Sequence, residues 1–352
     1  MQRFRNQVLL GMAFMAAVLI AVVLLSNARE LAHKLGSFPL WLFVPIIGLK
    51  VVNWILRYLE WHYFLHIIDV YPVIRGETRP PLSPNQPATI RVSDSFILWM
   101  ASLPFALSPG KIAEVLKALI LKSMTHTPVV RSAPIIFAER LVDGIAVILL
   151  VGLSALVAGD AIFQTDDAQY IRGVLIGTVL FLFVLIGVIQ FRPIAQVLIN
   201  SLGCLPLLRR FQDSIQTLYE SSYDLAKIRH LTPTTLFGVG AYFTDCIGFY
   251  LILTGLGETP SPDLFAQAVF ILGFSVVISA LSAMPGGAGG RELTIGALLK
   301  ALVGMSTAST GAAVLMIGIL QVWFGALIGV VLALVFRKRL FPPSLKEEIK
   351  AI

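Results

Sequence analysis

The chain has 352 residues and a formal net charge of +7; 57% of the residues are hydrophobic and 13% charged, where a soluble domain carries roughly 25% charged residues. These proportions exclude a soluble globular fold and describe an all-α polytopic protein, a single integral membrane domain over 1–352. The basic residues sit in short segments beside apolar runs, so membrane topology accounts for the positive charge and no nucleic-acid partner is expected. Cys204 and Cys246 lack the spacing of a disulfide framework or a zinc site, and both are read as structural.

A full span needs roughly 20 apolar residues, and six segments qualify: 8–26, 39–60, 134–157, 171–191, 234–256 and 309–336. The first follows Arg3 and Arg5 and ends near Ser26-Asn27-Ala28. It outruns the h-region of a signal peptide, about 7 to 15 residues, and is read as a retained span. The basic, proline-rich stretch 75–91 is expected to be an exposed loop, and the mixed stretch 192–230 to form helices on the cytoplasmic surface.

Two further apolar stretches, 93–123 and 263–303, are each broken by Pro-Gly: at Ser108-Pro109-Gly110-Lys111-Ile112-Ala113-Glu114, and at Met284-Pro285-Gly286-Gly287-Ala288-Gly289-Gly290-Arg291-Glu292. Irregular backbone at membrane depth survives only where protein or an aqueous cavity satisfies its polar groups. Paired broken helices in two halves of a membrane protein point to a transport site. Each stretch is predicted to be a re-entrant helical hairpin, with an apolar arm, the break and a shorter amphipathic arm. Glu114, Lys117 and Lys122 make the second arm of the first hairpin a poor span of its own.

Loop charge sets the orientation. The N-terminus, 61–92, 111–131, 192–230 and Arg337-Lys338-Arg339 are basic, whereas 158–170 and the link at 257–263 carry Asp160, Asp166, Asp167, Glu258 and Asp263. Basic segments face the cytoplasm, so both termini are placed there, in a prokaryotic-type inner or plasma membrane. The first hairpin then enters from the cytoplasm and the second from outside. The order span, span, hairpin, span recurs with opposite orientation, a candidate inverted repeat of 8–157 and 171–336. Pro-Gly is also a common break in unrelated re-entrant helices, so the repeat stands as a candidate.

Charges at membrane depth are the candidate site. Lys50, Asn53 and Arg57 fall at i, i+3 and i+7 on one helix face, and Glu60 extends the stripe. Two readings stand for Arg57 and Glu60: a polar site, or side chains snorkelling at the helix end. Glu139 and Asp143 lie one turn apart, with Arg140 able to pair with Asp143; they form either an internal ion pair or a head-group or proton site. Asp245 either pairs across the fold or titrates. Arg291 and Glu292 open a helix after a glycine run, where free N–H groups and a guanidinium suit phosphate, although the two could instead cap and pair locally. No Gly-Lys-Ser/Thr follows, so the run is no P-loop. His62 and His66 lack the glutamate and third ligand of a zinc site, and no metal, cofactor or catalytic constellation is expected.

With these three motifs in order, Ser108 to Lys117, Glu139-Arg140-Leu141-Val142-Asp143 and Met284 to Glu292, the chain resembles the flippase-like membrane region of lysylphosphatidylglycerol synthetases and its stand-alone relatives. Two departures stand out: Ala113 occupies the place of a second glycine in the family's first break, and Gly289-Gly290 stands where the family often has a single residue between glycine and Arg-Glu, which shifts the geometry of the second. The resemblance implies lipid translocation or handling, with basic residues meeting a phosphate head group. Lysyl transfer by this polypeptide is not expected, since the chain ends at Ile352 without room for the soluble transferase domain of those enzymes.

The expected function is a lipid transporter, flippase- or scramblase-like, rather than an enzyme. Its expected ligand is an anionic or polyprenyl-phosphate-linked lipid, with a lipid-modifying enzyme as a further partner. The expected binding residues are Lys50, Asn53, Arg57, Pro109, Gly110, Lys111, Glu114, Glu139, Arg140, Asp143, Asp245, Pro285, Gly286, Gly287, Arg291 and Glu292. Two alternatives are a membrane-embedded enzyme or enzyme partner in glycolipid or lipid-linked sugar metabolism, using the carboxylates as a base, and an ion-coupled carrier of small anions.

Overall fold

A computed structural model describes residues 2–80, 87–108, 113–157, 168–190, 212–282, 284 and 287–341. It is almost wholly helical. In chain order the helices are α1 Gln2–Leu25, α2 Ala28–Gly36, α3 Phe43–Ile67, α4 Val92–Ser102, α5 Val115–Thr125, α6 Val129–Val157, α7 Ala168–Gln190 and α8 Gln212–Leu225. They continue with α9 Ile228–Gly255, α10 Pro262–Ser282, α11 Gly290–Leu298, α12 Thr307–Gly318, α13 Phe324–Val335 and the short α14 Arg337–Leu340. A π-helical turn, Ile319–Trp323, joins α12 to α13 without interrupting the rod.

Among the described residues, five helices are long and apolar enough to cross a membrane: Leu40–Ile67, Val129–Val157, Ile228–Gly255, Pro262–Ser282 and Thr307–Val335. Helices α1 and α2 form a bent pair, turning by 102° after Leu25. The turn has a local cause, because the Asn27 side chain accepts from the Arg29 N–H and so starts a new helix. The fourth expected span is helical over Ala168–Gln190.

Two findings depart from the sequence reading. The stretch 75–91 is not all loop: β1 Val70–Val73 pairs in parallel with β2 Ala88–Arg91, register Val70 to Ala88. Ala88 and Ile90 alternate inward with Thr89 and Arg91, the period of a half-buried strand. Helix α10, taken as a hairpin arm, is itself 21 residues long and of spanning length.

Close helix approach rests on small residues. Gly325 and Gly329 are spaced i, i+4 on α13; a Cβ on Gly329 would lie 2.6 Å from the Met100 carbonyl oxygen and from Pro104. The small stripe lets α13 press onto α4 and the 3-10 turn Leu103–Leu107, as small-residue faces do between membrane helices.

The apolar interior falls into two main clusters. One joins Phe38, Leu42 and Ile46 to Phe249, Ile252, Phe270 and the alanines of α12. The other joins Trp61, Phe64 and Leu65 to Ile90, Leu98, Leu121 and Leu141. On α3 the first cluster ends at Ile46 and the second begins at Trp61. The intervening polar stripe, Lys50 to Glu60, covers about 15 Å of helix axis at 1.5 Å per residue.

Candidate functional site

That stripe lines a cavity of about 320 Å³. Nine of the expected site residues reach it: Lys50, Asn53, Arg57, Glu114, Glu139, Arg140, Asp143, Asp245 and Arg291. They come from α3, α6, α9, α11 and the start of α5, so both broken stretches contribute.

Three ion-paired groups organise the wall. Lys50 Nζ lies 3.2 Å from Asp245 Oδ1 and donates to Asn53 Oδ1 at 3.5 Å. The Asn53 amide in turn donates to the Ala241 carbonyl at 2.7 Å, which ties α3 to α9. Asp245 is therefore a partner across the fold, one of its two expected readings.

Arg57 joins the second group. Its Nη1 is 3.0 Å from Glu60 Oε2 and 2.5 Å from Asp143 Oδ1, with the guanidinium 4.8 Å from the centre of the Tyr242 ring. Arg140 reaches the other Asp143 oxygen at 2.9 Å, the expected i, i+3 pair. Arg57 thus points into protein and does not snorkel. The Glu60 side chain is 1% exposed, and its Oε1 has no hydrogen-bond partner among the described residues.

The third group is Lys117, whose Nζ lies 2.7 Å from Glu139 Oε1 and 3.8 Å from the centre of the Trp61 ring. It fastens α5 to α6 and α3. Buried charges persist only when paired or facing water, and these contacts supply the pairing.

Arg291 differs from the other four cations. Its guanidinium donates to the Gln321 side-chain oxygen on the π-helical turn, its Nε is buried without a partner, and no carboxylate pairs with it among the described residues. Glu292 does not orient it. The Glu292 carboxylate turns back and accepts from the Gly289 N–H at 2.7 Å, capping α11. Local capping, one of the two expected readings, is what Glu292 does, and it is absent from the cavity lining.

Gly287 is likewise absent from the lining and has a packing reason to be glycine. Its φ is +72°, and a Cβ there would overlap Ser279 Oγ at 1.6 Å. Pro109, Gly110, Lys111, Pro285 and Gly286 lie outside the described residues. At the first break, Ser108 Oγ donates to the Phe105 carbonyl at 2.8 Å and accepts from the Ala113 N–H at 2.9 Å, tying Ala113 to the end of the 3-10 turn.

Four cavity residues outside the expected set, Glu60, Lys117, Gln321 and Tyr242, contact its charged side chains. Glu60 extends the α3 stripe and Lys117 was read only as a charge that spoils a span. Gln321 is the one amide or charge between Thr310 and Arg337, which is a usable signal. Tyr242 carries none that separates it from other aromatic residues of a span. Among the described residues no group of three or more His, Cys, Asp or Glu is placed to hold a metal ion.

Neither the curated proteins nor the solved structures provide a match to the chain. The family model described as the lysylphosphatidylglycerol synthase TM region matches residues 8–329, nearly the whole of the apolar chain and every residue of the cavity wall. The chain belongs to the family of the lysylphosphatidylglycerol synthase membrane region.

Proposed function

We propose that this protein is a lipid transporter, flippase- or scramblase-like, that receives the phosphate of a membrane lipid or lipid-linked intermediate in the polar cavity. The observation that carries the reading is Arg291: a guanidinium on the wall of a cavity between apolar clusters, held by the neutral Gln321 and by no carboxylate among the described residues. A planar guanidinium offers a phosphate two parallel hydrogen bonds. Membership of a family whose membrane region is linked to lipid handling supports the same reading.

In this scheme the two broken stretches act as opposed re-entrant hairpins of an inverted repeat, 8–157 and 171–336. They bring Glu114 and Arg291 to one chamber while acyl or prenyl chains stay in the bilayer. The ion pairs on α3, α6 and α9 hold the wall in shape, and both termini face the cytoplasm of a prokaryotic-type cell. An anionic or polyprenyl-phosphate-linked lipid is the ligand class the sequence suggests, supplied by a lipid-modifying enzyme.

The test is movement of fluorescent phospholipids and polyprenyl phosphates between leaflets of proteoliposomes. Wild type should accelerate at least one lipid, and Arg291→Gln should slow it at least tenfold. Folded protein that moves none of the panel would overturn the reading.

A further inference from the structure

The charges of the cavity wall nearly all cancel in pairs, and the remainder is informative. Five cations and five carboxylates line it among the described residues. Four of each satisfy one another: Lys50 with Asp245, Lys117 with Glu139, and Arg57 and Arg140 with Glu60 and Asp143. One cation and one carboxylate are left, Arg291 beside the second break and Glu114 beside the first.

Neither forms an ion pair with the other or with any other described residue. Glu114 stands at the N-cap position of α5, but its side chain makes no capping hydrogen bond. It is buried and lines the cavity. Arg291 keeps a buried, unpartnered Nε. Among the described residues the chamber therefore presents one carboxylate and one guanidinium that enter no ion pair, Glu114 acting on Arg140 only through space, on a wall whose remaining charges are paired.

Resting on the transport reading above, we infer that the cavity selects a zwitterionic lipid head group of zero net charge, with its phosphate on Arg291 and a primary ammonium on Glu114. A net anionic head group would answer Arg291 but leave Glu114 unmatched and add an uncompensated charge to a chamber of low dielectric, which is costly. A phosphate and an ammonium on one head group answer both and leave the balance at zero. A primary ammonium supplies three donors to a carboxylate that lacks any. This narrows the ligand away from the anionic class suggested by sequence.

The experiment compares two lipids with identical acyl chains, phosphatidylethanolamine and phosphatidylglycerol. Binding of their short-chain forms to the purified full chain in detergent is measured first, and movement of the labelled forms in proteoliposomes second. A charge-assisted hydrogen bond contributes about 1.5–3 kcal/mol, so wild type should prefer the ethanolamine lipid by about tenfold or more in binding. Glu114→Gln should bring that ratio close to one, chiefly by weakening the ethanolamine lipid. Arg291→Gln should weaken both lipids.

Equal or tighter binding of phosphatidylglycerol by wild type, or an unchanged preference in Glu114→Gln, would overturn the inference. Binding is read without transport, so a variant that no longer moves lipid still reports on the head group. A wild-type preference in binding with no movement of any lipid would sink the transport reading and leave the head-group assignment standing.

Discussion

The Lys117–Glu139 pair gives the most direct check on the architecture of the cavity wall, because its two halves are supported unequally. Lys117 Nζ has both the Glu139 carboxylate at 2.7 Å and the face of Trp61 at 3.8 Å, and the two side chains are 7% and 14% exposed. Breaking a buried pair from one side costs about 3–5 kcal/mol, since the other charge is stranded. In Glu139→Gln the stranded lysine keeps its ring contact, worth about 2 kcal/mol when desolvated, so the loss should fall near the lower figure. In Lys117→Met the carboxylate is stranded and the ring contact is lost as well, so the loss should approach the upper one. The double variant strands nothing and should lie within about 1.5 kcal/mol of wild type. Unfolding in mixed micelles, followed by tryptophan fluorescence, gives the three differences as a double-mutant cycle. Additive single losses, or a Glu139→Gln loss equal to that of Lys117→Met, would refute the reasoning.

Further expectations follow from the same geometry. Gly329→Leu forces side-chain atoms against the Met100 carbonyl and Pro104, and overpacking of this kind costs about 1–3 kcal/mol; a lower melting midpoint in detergent is expected, and wild-type stability would show that α13 does not press on α4. Gly287→Ala combines a positive φ with overlap at Ser279, so it should be destabilised by at least about 1 kcal/mol, with part of the loss recovered by adding Ser279→Gly. Compartment-sensitive reporters fused at each end should both report the cytoplasm; a split result would break the inverted arrangement of halves.

The helical stripe Lys50, Asn53, Arg57 was legible because a period of 3.6 carries it on a single element. Arg140 and Asp143 were legible for the same reason. What the sequence could not supply was the partner of a charge on another helix. Lys117 lies 22 residues from Glu139 and looked like a defect in a span, while Asp245 lies 195 residues from Lys50. The strand pair was hidden by its length: four residues among prolines give too few alternations to outweigh the turn signals. Helix α10 shows a different limit. An apolar segment long enough to cross a bilayer has the same composition whether it crosses or returns, so only its surroundings decide.

The π-helical turn at Ile319–Trp323 sets the phase of everything that follows it on the same rod. One extra residue per turn advances the chain by about 100° relative to an uninterrupted α-helix. Upstream of it α12 is packed in the first apolar cluster; within it Gln321 meets Arg291; beyond it Gly325 and Gly329 meet α4 and the turn after it. Removing a single residue from this turn would restore an ordinary helix and swing the glycine stripe away from α4 without changing one chemical group in the cavity. The Arg291–Gln321 contact and the seating of the last helix are thus two readings of one angular setting, and a shift at either end must be felt at the other.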